Sequence, residues 1–318
     1  MPLDPALQPI VDLINEQRAA PADPNATPEE MRAIAHAGME VGFLAMSDDP
    51  VDVASIVDRV VPVDGGVITV RVYTPFGDGP FPGYLYIHGG GFWLGTLDHF
   101  DPVCRAICLG AQCVVASVDY RLAPEYKFPT APEDCYAALQ WLAANASELN
   151  VDPNKLAVGG GSAGGNLAAV VALMARDRGG PPLVFQILEI PVVDLTMSHP
   201  SITENGEGYI LTKDGMVQCV SFYLADPADA THPYASPFFA DDLSGLPPAL
   251  VVTAEFDPLR DEGEAYGKRL QDAGVPTEIV RMEGHIHGSL AFTKLLPSAV
   301  EHKQRVNDTL TAAYGHVS

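Results

Sequence analysis

The chain has 318 residues, of which 47% are hydrophobic and 19% charged, the composition of an ordinary globular protein. Its formal net charge is −23, from 41 acidic and 18 basic residues, which argues against nucleic acids and anionic membranes as partners. Apolar runs are short and are interrupted by proline and glycine, so we expect no transmembrane helix. The acidic balance leaves two interpretations open, a solubilising surface and an adaptation to salt.

The first 46 residues predict two amphipathic helices that precede every strand. Apolar residues share one helix face at Leu3, Leu7, Ile10, Val11 and Ile14. A second helix begins at 27–30, where Thr27 is the N-cap and Glu30 closes a capping box. We expect the apolar faces of both helices, with Met31 and Ile34 on the second, to cover the mouth of a site. No basic region precedes an apolar stretch at the N-terminus, so we expect no signal peptide and a cytoplasmic protein.

Strands and helices alternate in the rest of the chain. A β-hairpin is predicted from Asp58–Val63 and Val67–Tyr73 around Asp64-Gly65-Gly66. Further strands are predicted at Tyr84–Ile87, Cys113–Val118, Leu156–Val158, Leu183–Glu189, Ala249–Ala254 and Thr277–Arg281. Helices are predicted at Glu133–Asn145, Ala163–Arg176, Asp261–Ala273 and Pro297–Ala313. This alternation predicts an α/β fold with a mostly parallel central sheet and helices on both faces.

One segment, 198–237, interrupts the alternation and contains the helical pattern Lys213–Leu224. We expect it to leave the core and to form a helical cap with residues 1–46. The core then consists of two parts, 47–197 and 238–318. The five cysteines lie between Cys104 and Cys219 without a Cys-x-x-Cys motif, which predicts buried free thiols in a reducing compartment.

Two glycine-rich motifs indicate the chemistry. The run His88-Gly89-Gly90-Gly91 follows a predicted strand and offers backbone amides to an oxyanion. Ser162 stands in Gly160-Gly161-Ser162-Ala163-Gly164, between a predicted strand and a predicted helix, which is the setting of a nucleophilic serine. A Cβ atom at Gly160 or Gly164 would clash in so tight a turn.

A nucleophilic serine needs a base and an orienting carboxylate. In the α/β-hydrolase layout these follow the serine in the order acid, then histidine, each after a strand. Asp257 and His287 hold those positions, and His285 is the alternative base. His285 and His287 are also an alternative metal site. No cysteine or carboxylate cluster accompanies them in the sequence, so we expect no metal.

The chain resembles the hormone-sensitive-lipase-like esterases, the bacterial family IV carboxylesterases of the α/β-hydrolase superfamily. The resemblance rests on His88–Phe92, Asp119–Glu125, Gly160–Asn166, Asp257–Glu262 and His285–Gly288, which span nearly the whole chain. It implies the α/β-hydrolase fold and a catalytic triad of Ser162, Asp257 and His287. It also implies an oxyanion hole formed by the amides of Gly90, Gly91 and Ala163, with Gly89 as a further donor.

The sequence departs from that family at two positions. Gly161 stands where the family commonly has Asp or Thr, and Ser289 stands where it commonly has Phe. Neither position carries a triad atom. Both changes put the shape of the pocket and the local stability in question.

We therefore predict a serine carboxylesterase that hydrolyses acyl esters of about two to eight carbons and needs no cofactor. Its predicted partner is a small-molecule ester, and a homodimer is left open. Phe92, Trp93 and Tyr209 are predicted pocket walls, His88 an architectural residue, and Glu189 a structural partner for a nearby donor. The alternatives are an aryl amide hydrolase or deacetylase, a ligand-binding member without catalysis, and an interfacial lipase.

Overall fold

The computed structural model describes residues 2–18 and 26–315. Its strands are β1 Ser55–Val63, β2 Gly66–Thr74, β3 Phe81–Ile87, β4 Val114–Asp119, β5 Val151–Gly161, β6 Phe185–Glu189, β7 Ala249–Phe256 and β8 Thr277–Ile286. They form one sheet in the order β1-β2-β4-β3-β5-β6-β7-β8. The pairings of β2 with β1 and β4 are antiparallel, and the pairings from β4 to β8 are parallel.

Helices cover both faces of the sheet. They are α1 Gln8–Arg18, α2 Pro28–Met39, α3 Asp101–Gly110, α4 Thr130–Ala144, α5 Ala163–Asp177, α6 Ser201–Glu204, α7 Lys213–Tyr223, α8 Arg260–Asp272 and α9 Pro297–Ala313. Every residue of β3 is buried. Leu85 and Ile87 face the core that contains α4, α5 and α8, whereas Tyr84 and Tyr86 face the core that contains α3 and α9. None of the described helices is long and apolar enough to cross a membrane.

The structure confirms the α/β fold, the hairpin and each predicted strand and helix, with differences at the ends. The largest difference is at β5, which begins at Val151 rather than at Leu156. The residues between, Asp152 to Lys155, are three polar residues and a proline, exposed or half-buried, so they give no hydrophobic signal. They nevertheless belong to β5, where Val151 pairs with Phe81 across an irregular register.

The N-terminal helices are present, but only part of their apolar surface is covered. The capping box of α2 is confirmed, because Thr27 and Glu30 bond each other's backbone amides. Leu7 and Val11 pack into a small core against β8 and the start of α9, away from the cavity described below. The expectation fails for Ile34, which is 72% exposed. Tertiary packing therefore buries Leu7, just before α1, and Val11 of α1, whereas α2 has no buried residue.

The segment 198–237 contacts the N-terminal helices. Asn15 of α1 donates a hydrogen bond from Nδ2 to the carbonyl oxygen of Gly208 at 3.1 Å. The side chain of Gln218 on α7 lies 4.0 Å from the Met31 sulfur on α2. Two segments far apart in sequence therefore lie together on the same side of the molecule.

Candidate active site

Ser162 occupies a strained turn between β5 and α5. Its backbone has φ 59° and ψ −121°, a conformation that L-residues other than glycine rarely adopt and that costs free energy. The Ser162 amide donates to the carbonyl oxygen of Glu189 at 2.8 Å, and the Asn166 amide donates to the Ser162 carbonyl at 3.0 Å. These bonds hold the serine in the turn while its side chain stays accessible.

The glycines around Ser162 have different reasons to be glycine. A Cβ atom on Gly160 or on Gly164 would collide with the carbonyl oxygen of Ile87, as the sequence predicts. At Gly161 the nearest atom to such a Cβ is the Glu189 carbonyl oxygen, 3.8 Å away. The departure from the family at this position therefore leaves open space and removes no steric requirement.

The structure brings Ser162, His287 and Asp257 into one hydrogen-bonded chain. His287 Nε2 lies 3.0 Å from Ser162 Oγ, and His287 Nδ1 lies 2.8 Å from Asp257 Oδ2. In the tautomer that satisfies both contacts, Nδ1–H donates a hydrogen bond to the carboxylate and Nε2 accepts a hydrogen bond from the Ser162 hydroxyl. Asp257 is fully buried, and its Oδ1 accepts the Leu259 amide at 2.9 Å. The carboxylate is thereby fixed on the far side of the imidazole from Ser162.

His285 has a different environment. Its Nδ1 lies 2.8 Å from Ser289 Oγ and its Nε2 lies 2.8 Å from Ser298 Oγ. Burial lowers the pKa of His285 to about 4, which keeps the ring neutral. Ser289 also donates to the Ile286 carbonyl at 2.8 Å. Ser289 thus ties His285 to the turn before His287, and both ring nitrogens of His285 are engaged away from Ser162.

The loop after β3 requires its glycines. Gly90 and Gly91 have φ values of 124° and 59°, which favour glycine. A Cβ atom at these positions would collide with the Leu94 carbonyl oxygen and with the Cys219 sulfur, respectively. Ala163 is the first residue of α5, and a helix N-terminus favours negative charge. Backbone amides and a helix N-terminus therefore lie next to Ser162.

The ring of His88 supports this loop from within. It is fully buried and stacks on Tyr120 and Phe100, with ring centroids 4.4 Å and 5.5 Å away. Its Nδ1 lies 2.8 Å from the Gly89 carbonyl oxygen. Burial lowers the pKa of His88 to about 4. These contacts agree with an architectural residue and not with a proton carrier.

A cavity of about 380 Å³ opens at the serine. Ser162, His287 and the loop 89–93 line it, so Phe92 and Trp93 contribute to its wall. Tyr209 does not, contrary to the sequence prediction: its ring packs against Phe256, with centroids 5.4 Å apart. The next two residues along the chain, Ile210 and Leu211, line the cavity instead.

Both predicted cap segments contribute side chains to the cavity. Met39 and Phe43 line it from the N-terminal segment. The segment 198–237 adds Ile210, Leu211, Met216, Cys219 and Val220. Most of these side chains are apolar, so both segments add hydrophobic surface to the cavity that contains Ser162.

Helix α2 also holds the glycine loop through polar contacts that the sequence did not reveal. Arg32 on α2 donates from Nε to the Trp93 carbonyl at 2.8 Å and from Nη2 to the Ala123 carbonyl at 2.7 Å. The same guanidinium pairs with Glu125 at 2.6 Å. One turn later, His36 Nε2 accepts the Gly95 amide at 3.2 Å. No short-range pattern marks Arg32, because its partners are 61 to 93 residues away.

A second polar pair, Glu189 and His302, lines the cavity. His302 Nε2 lies 2.6 Å from Glu189 Oε1, which supplies the donor that the sequence predicts for Glu189. Sequence reasoning missed His302 itself. A signal was present, because His302 shares the buried face of α9 with Ala299, Val306 and Leu310.

No group of three or more metal-ligating side chains is found in residues 2–18 and 26–315. The five cysteines are free, and four of them are buried. Cys219 is the partly exposed thiol, at the cavity wall. Burial raises the pKa of Cys219 to about 11, which keeps the thiol protonated.

Residues 84–291 match a protein-family model described as alpha/beta hydrolase fold. The chain is 46% identical over 251 residues to the carboxylesterase NlhH of Mycobacterium tuberculosis, covering 77% of this chain and 79% of that protein. It is 38% identical over 291 residues to an arylesterase of Saccharolobus solfataricus, covering 91% and 93%. The solved hyperthermophilic esterase from Pyrobaculum calidifontis superposes with a TM-score of 0.92 at 43% identity, covering 98% of this chain and 99% of that one.

Gly160→Ala and Gly161→Ala are a matched pair that tests the turn. We expect Gly160→Ala to lower the free energy of unfolding by at least about 2 kcal/mol, because its Cβ meets a backbone oxygen that cannot move freely. Gly161→Ala should stay within about 1 kcal/mol of the wild type, since its Cβ has room. Urea unfolding of the two variants measures the difference, and equal losses would contradict this account of the turn.

The buried neutral His285 predicts a pH-dependent stability. The folded pKa of about 4 lies below the ordinary value of 6.5, so the unfolded chain binds the proton more tightly. The stability that this histidine supplies is present above pH 6.5 and is lost as the pH falls toward 4. His285→Gln removes the titration, so its cost in unfolding free energy should be about 1 kcal/mol smaller at mildly acidic pH than at neutral pH.

Urea unfolding of wild type and variant at the two pH values measures that change. Val60→Thr, at an exposed residue of β1 that does not titrate, is the control and should show the same cost at both. A cost for His285→Gln that does not vary with pH would mean that the pKa of His285 is the same in the folded and the unfolded chain.

Proposed function

The chain belongs to the α/β-hydrolase family and is a carboxylic ester hydrolase, and we propose that Ser162, His287 and Asp257 carry out its reaction. The observation that carries the proposal is the hydrogen-bonded chain from Asp257 through His287 to Ser162 Oγ. It ends at the cavity, where an ester can reach the serine. The match to hormone-sensitive-lipase-like esterases, predicted from sequence motifs, is confirmed by the relatives described above.

The reaction follows from this arrangement. His287 Nε2 takes the Ser162 proton as Oγ attacks the ester carbonyl, and Asp257 stabilises the imidazolium that forms. The amides of Gly90, Gly91 and Ala163, with Gly89 as a further donor, receive the developing negative charge. Each such donor lowers the barrier by about 3–4 kcal/mol. His287 then protonates the departing alcohol, and water hydrolyses the acyl-enzyme by the same steps in reverse.

The cavity supports short to medium acyl chains as substrates. Its volume of about 380 Å³ lies near the lower end of ligand pockets, which span roughly 300–1,000 Å³. Met39, Phe43, Met216 and Val220 line the cavity and limit the space for a long chain. Acyl groups of about two to eight carbons fit this description.

Residues 1–46 and 198–237 act as the cap in this proposal. Their side chains form the roof of the cavity, and Arg32 links the cap to the glycine loop. Residues 47–197 and 238–318 then form the catalytic core. The cap serves both to exclude water and to hold the oxyanion amides in place.

Ser162→Ala and His287→Ala should each reduce hydrolysis of p-nitrophenyl butyrate by about 10⁴-fold or more, because the serine and its base act as one unit. The double variant should be no slower than either single variant. A phosphonate ester should label wild type once per chain and leave Ser162→Ala unlabelled, as mass spectrometry would show. His285→Ala should retain far more activity than His287→Ala; the reverse order would move the base to His285.

Arg32→Ala should lower kcat by about 10-fold with a smaller change in KM, because a loosened oxyanion loop weakens transition-state contacts most. Arg32→Lys keeps the charge but cannot reach Trp93, Ala123 and Glu125 together, so it should recover little of the loss. Arg59→Ala removes an exposed arginine on β1 and is the control. Wild-type kcat in Arg32→Ala would show that the cap helix does not position the loop.

A further inference from the structure

One wall of the cavity, next to the nucleophile, carries a carboxylate that the proposed reaction does not use. Glu189 is the last residue of β6 and pairs in register with Gly161, one residue before Ser162. Adjacent strands lie about 4.8 Å apart, so this side chain starts close to the reacting centre. Glu189 lines the cavity, and 17% of its side chain is exposed. A carboxylate thus borders the space that the substrate enters.

The surroundings of this carboxylate are mostly apolar. The cavity wall on the α3 and α9 side includes Phe100, Val103, Ile107 and Val306. A carboxylate that an alkyl chain covers loses its hydration, and an alkyl chain offers no hydrogen bond in return. A plain hydrocarbon chain is therefore penalised at this wall. A chain that donates a hydrogen bond to Glu189 avoids the penalty.

His302 fixes the carboxylate and adds an independent observation. Its ring is 3% exposed, and its Nδ1 is buried without a hydrogen-bond partner among the described residues. Unpartnered buried polar atoms are rare in folded proteins. The hydrogen bond to His302 engages Oε1 of Glu189 and leaves Oε2 to accept a bond from a ligand. The pair is a polar site built into an apolar wall.

We propose that Glu189, held by His302, is a specificity-determining residue that selects esters bearing a hydroxyl group close to the ester carbonyl. The inference rests on the proposed function, since it concerns which esters the same serine cleaves. A hydroxyl suits the site better than an ammonium, which has three donors. Apolar neighbours would leave two of those donors unsatisfied. The charge on the acceptor strengthens the bond, because charge-assisted hydrogen bonds are about twice as strong as neutral ones.

The test compares esters in which a hydroxyl replaces a methyl group of similar size. For the acyl part of the substrate, we compare each enantiomer of ethyl β-hydroxybutyrate with ethyl isovalerate. For the alcohol part, we compare ethylene glycol monobutyrate with propyl butyrate. We expect kcat/KM, measured by pH-stat titration, to favour the hydroxyl ester by about 10-fold in one pair, as for a hydrogen bond to a charged group. In Glu189→Leu that ratio should fall to about one.

Glu189→Gln keeps the side-chain length and offers a neutral acceptor, so a ratio of about 3 should remain. This variant decides the matter if Glu189→Leu does not fold. Glu148→Leu removes an exposed carboxylate and should keep the wild-type ratio.

Equal rates within both pairs, or a ratio that the Glu189 substitutions leave unchanged, would overturn the proposal while the esterase function stands. Failure of the wild type to hydrolyse any of these esters would instead contradict the proposed function.

Discussion

The turn at Ser162 is the constraint on which the rest of the site depends. A non-glycine residue at φ 59° is stable only when its surroundings fix it. Here the carbonyl oxygen of Ile87, at the end of β3, lies so close to the turn that Gly160 and Gly164 have no room for a Cβ. The Glu189 carbonyl then binds the serine amide. Ser162 is therefore positioned by three neighbouring strands and not by its own loop alone.

The surroundings of three histidines near this turn determine what each can do. His88 and His285 are buried, and burial lowers the pKa of each to about 4, so both stay neutral and structural. His287 differs in its partners, since one nitrogen meets a buried carboxylate and the other meets the serine. His88 thus packs beneath the glycine loop, His285 stabilises the turn before His287, and His287 is the base in the proposed reaction. Contacts decide the role, because the residue type is identical in all three.

Helix α2 and the loop after β3 are joined by hydrogen bonds. The loop after β3 needs glycine at positions 90 and 91, which makes it intrinsically free to move. Arg32 and His36 counter that freedom by binding carbonyl and amide groups of the same loop. Helix α2 has no buried side chain, but it still stabilises the loop after β3. Its contribution lies in hydrogen bonds to backbone groups and not in hydrophobic packing.

The sequence by itself determined the α/β fold, the hairpin, the two glycine motifs and the order of Ser162, Asp257 and His287. These depend on the period of hydrophobic residues and on short-range sterics, which are local properties of the chain. Only the tertiary structure decided that Glu189 pairs with His302, 113 residues away, that Arg32 reaches the glycine loop, and that Tyr209 turns from the cavity. Such contacts form when separate layers pack against one another. No local pattern of residues specifies which side chains then meet.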